Sequence, residues 1–209
     1  FIAFETAAVS AISRSARGAV AVVLADDTPQ APVSATYQSL ADVPADKFSE
    51  ENYRLLDLAF RSAPSKVHVV RLQDEEEQAV YDTLNKLTFN WLAAPALDSA
   101  AVVSYVKERR AAGTMIKAVV ANAEAPDHEG IVNLCADGLV LSDGEIDAQD
   151  YTVRIAALLS ALPLTQSATY AQLAEVVSCS DYDDPDGEID QGKLIIVQSR
   201  GSYRLGRAV

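Results

Sequence analysis

Residues 147–170, DAQDYTVRIAALLSALPLTQSATY, constrain the fold of this chain more than any other stretch. Asp147 is a good N-cap, because its carboxylate can accept from a first-turn N–H that has no partner inside the helix. Tyr151, Ile155, Leu158, Leu159 and Leu162 then recur at helical spacing, and Pro163 stops the run. Ala156, Ala157 and Ala161 lie between those positions, so the helix is apolar nearly all round. Such a helix must be covered on most sides, by a sizeable layered domain or by a neighbouring subunit. It carries no group suited to acid, base or nucleophilic work.

The rest of the chain supplies the layers. Residues 19–24 (AVAVVL) form a continuous apolar run of the kind expected for a strand covered on both faces. Residues 26–46 are rich in Asp, Pro, Ser and Ala and read as a long connection with room for a short strand or one helical turn. Ser49 caps a predicted helix to about Ala63, striped by Tyr53, Leu56 and Phe60, and the next strand is Lys66–Leu72. Asp74 caps a helix that opens on Glu75, Glu76 and Glu77, which suit the positive end of its dipole, and continues through Val80, Leu84 and Leu87.

Residues 89–94 are strand-like, and Asp98 caps a helix with Val102, Tyr105 and Val106 inward and Arg109 and Arg110 in its last turn. Strands follow at 117–122 and 131–135. Residues 139–146 read as a hairpin with Asp143-Gly144 as a type I′ turn. After the apolar helix come residues 168–177, an acidic loop at 181–190, and a closing hairpin around Arg200-Gly201. Strand and helix alternate along most of the chain. That order predicts an α/β protein, a three-layer α/β/α sandwich with a mainly parallel sheet and antiparallel hairpins at the edge.

Composition narrows the partners. With 209 residues, 49% hydrophobic and 7% aromatic, the chain can bury a real core. No apolar run approaches the roughly 18 to 20 residues of a membrane helix, and the first residues lack the basic start of a signal peptide. The expectation is no membrane. A formal charge of −13, with no basic cluster larger than Lys107, Arg109 and Arg110, repels a phosphate backbone, so no nucleic acid is expected either. Cys135 and Cys179 have no CxxC spacing and are expected to be free thiols. Phe1 is not an initiator, so the sequence is expected to begin inside a longer protein.

Motifs for chemistry are scarce. Neither GxGxxG nor GxxxxGK[ST] occurs, which disfavours the common nucleotide sites. No GxSxG elbow surrounds a serine, and the two histidines are His68, inside the apolar strand KVHVV, and His128, between Asp127 and Glu129. His68 reads as structural. His128 is the better functional candidate, because flanking carboxylates could orient its ring or help bind a cation, yet it has no second histidine at metal spacing. Residues 181–190 look like a calcium loop until the register is anchored on Gly187, which puts Tyr182 first and Lys193 twelfth. No catalytic, cofactor-binding or metal-binding residue is assigned and no cofactor is expected. An α/β hydrolase-like or nucleotide-binding enzyme with an unrecognised site is the competing reading.

Four segments occur together in a recognisable order: RSARGAVAVVL at 14–24, HEGIVNL at 128–134, the apolar helix with PLTQS at 163–167, and GKLIIVQSRGSYRLGRAV at 192–209. In this the chain resembles the sheath proteins of contractile phage tails and related R-type bacteriocins, whose core is often labelled subtilisin-like. The label does not carry an activity, since the triad is not here. The resemblance implies a non-enzymatic subunit of a virion tail, assembled in the host bacterial cytoplasm, whose copies form hexameric rings in a helical array around an inner tail tube protein and contract during injection. It implies an N-terminal extended arm at 1–13, with Ile2, Phe4, Val9 and Ile12 as subunit-interface residues that anchor it by strand addition on a neighbour. Residues 14–209 would be the core domain, with the family's C-terminal domain absent from this sequence.

Overall fold

The computed structural model describes residues 18–29, 32–73, 76–124, 128–163 and 165–206. Its centre is a seven-stranded sheet. The first strand, β1 (Ala19–Ala25), pairs in parallel with β3 (Lys66–Leu72) on one side and with β4 (Trp91–Ala93) on the other. Beyond β4 lie β5 (Lys117–Ala121), β6 (Ile131–Leu134) and the two-residue β10 (Lys193–Leu194), all parallel. β2 (Ser34–Tyr37), inside the long connection, closes the opposite edge antiparallel to β3. The order is β10-β6-β5-β4-β1-β3-β2.

Alternation along β1 divides the interior into two. Val20, Val22 and Leu24 point into one apolar cluster, and Ala19, Ala21 and Val23 into a second on the other face. The first is roofed by α1 (Glu50–Phe60) and α4 (Ala148–Ala161), through Leu55, Leu56, Leu58, Tyr151 and Ile155. The second is roofed by α2 (Glu77–Leu84) and α3 (Ser99–Ala111), through Val80, Leu84, Val102 and Val106. Each fully buried Val or Leu contributes roughly 1.5–3 kcal/mol relative to exposure, so a strand buried on both sides anchors both layers at once. The three-layer α/β/α arrangement with a mainly parallel sheet is the one expected.

α4 meets the expectation for the apolar helix. Asp147 caps it by accepting from the Asp150 N–H at 2.8 Å, and Tyr151, Ile155, Ala156 and Ala157 have no exposed surface. It lies across β1, β4 and β5 and packs against α1. Its carboxyl end touches the start of the sheet, where Gly18 N–H donates to the Ser160 carbonyl at 2.7 Å. A Cβ on Gly18 would stand 2.8 Å from Asn90 Oδ1 and 3.0 Å from that carbonyl, so glycine is what permits the approach.

The hairpins form small sheets of their own beside the main one. β7 (Val140–Leu141) pairs with β8 (Gly144–Glu145) and with β9 (Val176–Ser178), while β11 (Ile196–Ser199) pairs with β12 (Ser202–Leu205). The turn at Arg200 and Gly201, with φ of 52° and 75°, has the two left-handed residues that a type I′ hairpin needs. The first hairpin differs from expectation. Leu141 faces Gly144, so its turn pair is Ser142-Asp143, and neither residue has positive φ. It is therefore not a type I′ turn on Asp143-Gly144.

Three further boundaries differ. α1 ends at Phe60, ahead of Ala63, which has turned to φ 48°. α2 starts at Glu77 and ends at Leu84, so Leu87 lies past it and packs from the following loop; Asp74 and Glu75 lie outside the described residues. The acidic loop holds a helical turn, α5 (Pro185–Asp190), with Asp184 accepting from the Gly187 N–H at 3.0 Å and proline in its first turn.

Candidate functional site

In a doubly wound sheet, ligands bind outside the carboxyl ends of the strands, where the winding direction reverses. Here that point lies between β1 and β4. On the β3 side of β1, Asp26 follows the strand directly. Its carboxylate accepts from Thr28 N–H at 2.9 Å, Ser49 N–H at 3.1 Å and Asn52 Nδ2 at 2.8 Å, and Arg71 Nη1 stands 3.4 Å away. Arg71 also donates to the Lys47 carbonyl and lies with its guanidinium carbon 4.4 Å from the centre of the Phe48 ring. Burial pushes the Asp26 carboxyl up, but the donors around it outweigh burial and hold it below the usual value. Both charged side chains of the pair are fully buried, so the pair is a structural joint between β1, β3 and α1.

Neither imidazole sits in a catalytic arrangement among the described residues. His68 is buried, with Nδ1 bonded to Thr36 Oγ1 at 2.8 Å and Nε2 to the Thr88 carbonyl at 3.1 Å. Burial, with help from Lys66, pushes its pKa down. It ties edge strand β2 to the loop after α2, the structural role read from the sequence. His128 Nδ1 accepts from the Gly130 N–H at 3.1 Å, and Glu129 is taken by Arg110. Asp127 lies outside the described residues. Cys135 and Cys179 are free thiols, and burial pushes both up, Cys179 to about 11, which leaves little thiolate at neutral pH. Among the described residues no group of three His, Cys, Asp or Glu side chains could hold a metal ion.

The surfaces offer more than the interior. A cavity of about 590 Å³ opens at the carboxyl ends of β5 and β6, walled by Leu55, Leu139 and Ile146 and bordered by Glu51, Asp137, Glu145, Asp147 and Asp150. Among the described residues Arg54 is its one cation, and it is committed: it grips Asp143 at 3.0 and 3.1 Å and donates to the carbonyls of Gly144 and Glu145. Asp150 pays for the surrounding charge, since burial first, then Asp147 and Glu51, raise it to about 6. At the sheet's far edge, β2 presents an outer side that pairs with no other described strand. The expected interface residues Ile2, Phe4, Val9 and Ile12 lie outside the described residues.

One site escaped the sequence reading. Arg154, on the helix read there as apolar nearly all round, donates through Nε to Glu175 at 2.6 Å, and Tyr151 Oη donates to the same carboxylate oxygen at 2.8 Å. Arg154 also reaches Ser62 Oγ. Side-chain exposures of 8% and 4% make the pair a buried joint between α4 and the segment leading into β9. An arginine within an apolar run was the available signal; its partner, 21 residues on, was not.

No family model matches the chain. Over its whole length it aligns at 32% identity with a protein named as the tail sheath protein of Clostridium phage phiCD119. The chain is a relative of that tail sheath protein. It spans 61% of that relative's length. Solved structures agree on the fold: a sheath tail protein from Desulfitobacterium hafniense superposes with a TM-score of 0.79 at 14% identity, over 91% of this chain and 71% of that one. One from Listeria innocua gives 0.79 at 15%, over 94% and 71%. The helical sheath of the anti-feeding prophage in its contracted state gives 0.66 at 14%, over 90% and 60%. The layered fold is shared with these solved sheath structures, and the resemblance read from the four ordered segments holds.

Proposed function

We propose that this chain is the core of a structural subunit of a contractile tail sheath. Its copies assemble in hexameric rings or a helical array around an inner tail tube protein and rearrange as rigid bodies when the tail shortens during injection. The observation that carries this reading is the 32% identity to a phage tail sheath protein along the entire chain. The buried pair of Asp26 with Arg71 and the bonds to the rings of His68 and His128 favour it over the hydrolase-like or nucleotide-binding alternative, because these groups are engaged in structural bonds.

On this reading residues 1–13 form an arm that pairs with a neighbour's sheet, with Ile2, Phe4, Val9 and Ile12 seating it, and residues 14–209 form the core domain. Backbone pairing and shape would do the work, in a virion tail built in the host bacterial cytoplasm, with no cofactor, nucleic acid or membrane involved. Negative-stain microscopy of the full protein tests the proposal. Striated tubes or rings are expected; a full protein that stays monomeric at all concentrations, with and without the inner tube, would overturn it.

A further inference from the structure

The described core is electrically polar along its strands. Helices run antiparallel to the strands they cover, so helix amino ends and strand carboxyl ends share one pole, where the exposed side chains of Glu51, Asp98, Asp137, Glu145 and Asp147 gather. At the opposite pole are Lys86, Lys107, Arg109 and Lys117, where the carboxylates Asp57 and Glu129 are held by Arg61 and Arg110 and Asp82, Glu108 and Asp190 remain exposed. Helix dipoles favour acids at amino ends and bases at carboxyl ends. They do not account for Asp137 and Glu145, which lie off the helices beside the cavity, nor for Lys117 at the start of β5.

The two poles also match in form. The acidic pole holds the cavity of about 590 Å³, where Leu55, Leu139 and Ile146 form an apolar part of the wall and carboxylates border it. The basic pole carries Met115, among the described residues the most exposed of the large apolar side chains at 66%, in the loop between α3 and β5. Two residues later Lys117 rests its ammonium 5.3 Å from the centre of the Trp91 ring and remains exposed.

We propose that the cavity between α1, α4 and the β7–β8 hairpin receives the 113–117 loop of a second copy, Met115 entering against the apolar walls and Lys117 and Arg109 meeting the carboxylates of Glu51 and Glu145. Such a contact is heterologous, one pole of each copy against the other pole of the next, so it propagates into rings or filaments and does not close as a dimer. Charge complementarity selects the partner: a chain of net charge −13 repels itself unless its acidic face finds basic groups, and the loop is where this chain displays them beside an apolar knob. A cation brought to the rim also relieves the field that lifts Asp150.

This docking rests on the sheath reading, and the test separates the two. In the full protein, a loop variant (Arg109→Glu with Lys117→Glu) and a rim variant (Glu51→Lys with Glu145→Lys) are each followed by sedimentation velocity and microscopy, with circular dichroism to confirm folding. Each alone is expected to need about tenfold more protein to assemble, as is Met115→Ser, and an equimolar mixture of the two charge variants is expected to recover, because wild-type loop then meets wild-type rim and reversed loop meets reversed rim. If the wild type assembles and both charge variants do so equally well, or the mixture shows no recovery, the docking is wrong and the sheath reading stands. If the wild type never assembles, both fall.

Discussion

Replacing Glu175 by leucine should expose how much the joint between α4 and the segment before β9 contributes. The substitution leaves the Arg154 guanidinium, 8% exposed, with only the Ser62 hydroxyl, and leaves the fully buried Tyr151 hydroxyl without its acceptor. Breaking a buried pair from one side costs about 3–5 kcal/mol, a large part of a typical domain's 5–15 kcal/mol. Arg154→Leu should cost less, because the carboxylate keeps the Tyr151 hydroxyl. Changing Arg154, Glu175 and Tyr151 together to Leu, Leu and Phe should return to within about 2 kcal/mol of wild type, since no buried charge or donor is then stranded. Urea unfolding followed by circular dichroism measures each variant, with an unchanged slope as the check that the transition remains comparable. The sign with pH is fixed as well. Burial pushes Glu175 up, but Arg154 and Tyr151 hold it below its usual 4.5, so its stabilisation is complete above that value and fades as pH falls through the lower, folded value. Glu175→Leu should lack this acid-dependent loss. Single-variant costs below about 1 kcal/mol, adding without coupling in the multiple variant, would refute the reasoning.

Asp150 behaves in the opposite sense. Its folded value of about 6 lies above the ordinary 3.8, so the native state holds the proton more tightly and stability declines as pH rises from about 3.8 to about 6. Asp150→Asn should therefore stabilise the protein at pH 8, by about 1 kcal/mol once solvent screening at this half-buried site is discounted, and should make no difference well below the ordinary value of 3.8; thermal unfolding at pH 8 and at such an acid pH checks this. Gly18→Val places a side chain against Asn90 and the Ser160 carbonyl and should cost about 1–3 kcal/mol by overpacking, measured by the same unfolding assay; an unchanged midpoint would mean that α4 gives way freely there.

Local signals were read well from the sequence because they depend on near neighbours. Ser49 and Asp147 cap the helices they were expected to cap, and β3 keeps its expected bounds. The helical turn within 181–190 was legible too, in Asp184 followed by Pro185, but the density of acids drew it toward a loop. The misplaced turn at Asp143 is a slip of one residue, which pairing across β7 and β8 fixes and composition does not. What could not be read is long-range: the strand order that sets Asp26 beside Arg71, 45 residues apart, and the pairing of Arg154 with Glu175. Such contacts depend on which crossovers the whole chain takes. The arm residues remain a reading of the sequence and of the proposed assembly.

Arg54 gives the first hairpin a second root. Its four bonds bind residues 143–145 to a helix roughly ninety positions earlier, so a push at the hairpin tip travels straight into the first layer and bypasses the intervening backbone. A strut of this kind lets a surface loop move with the body that bears it, which the proposed role would use when displacement at one end has to arrive undiminished at the other.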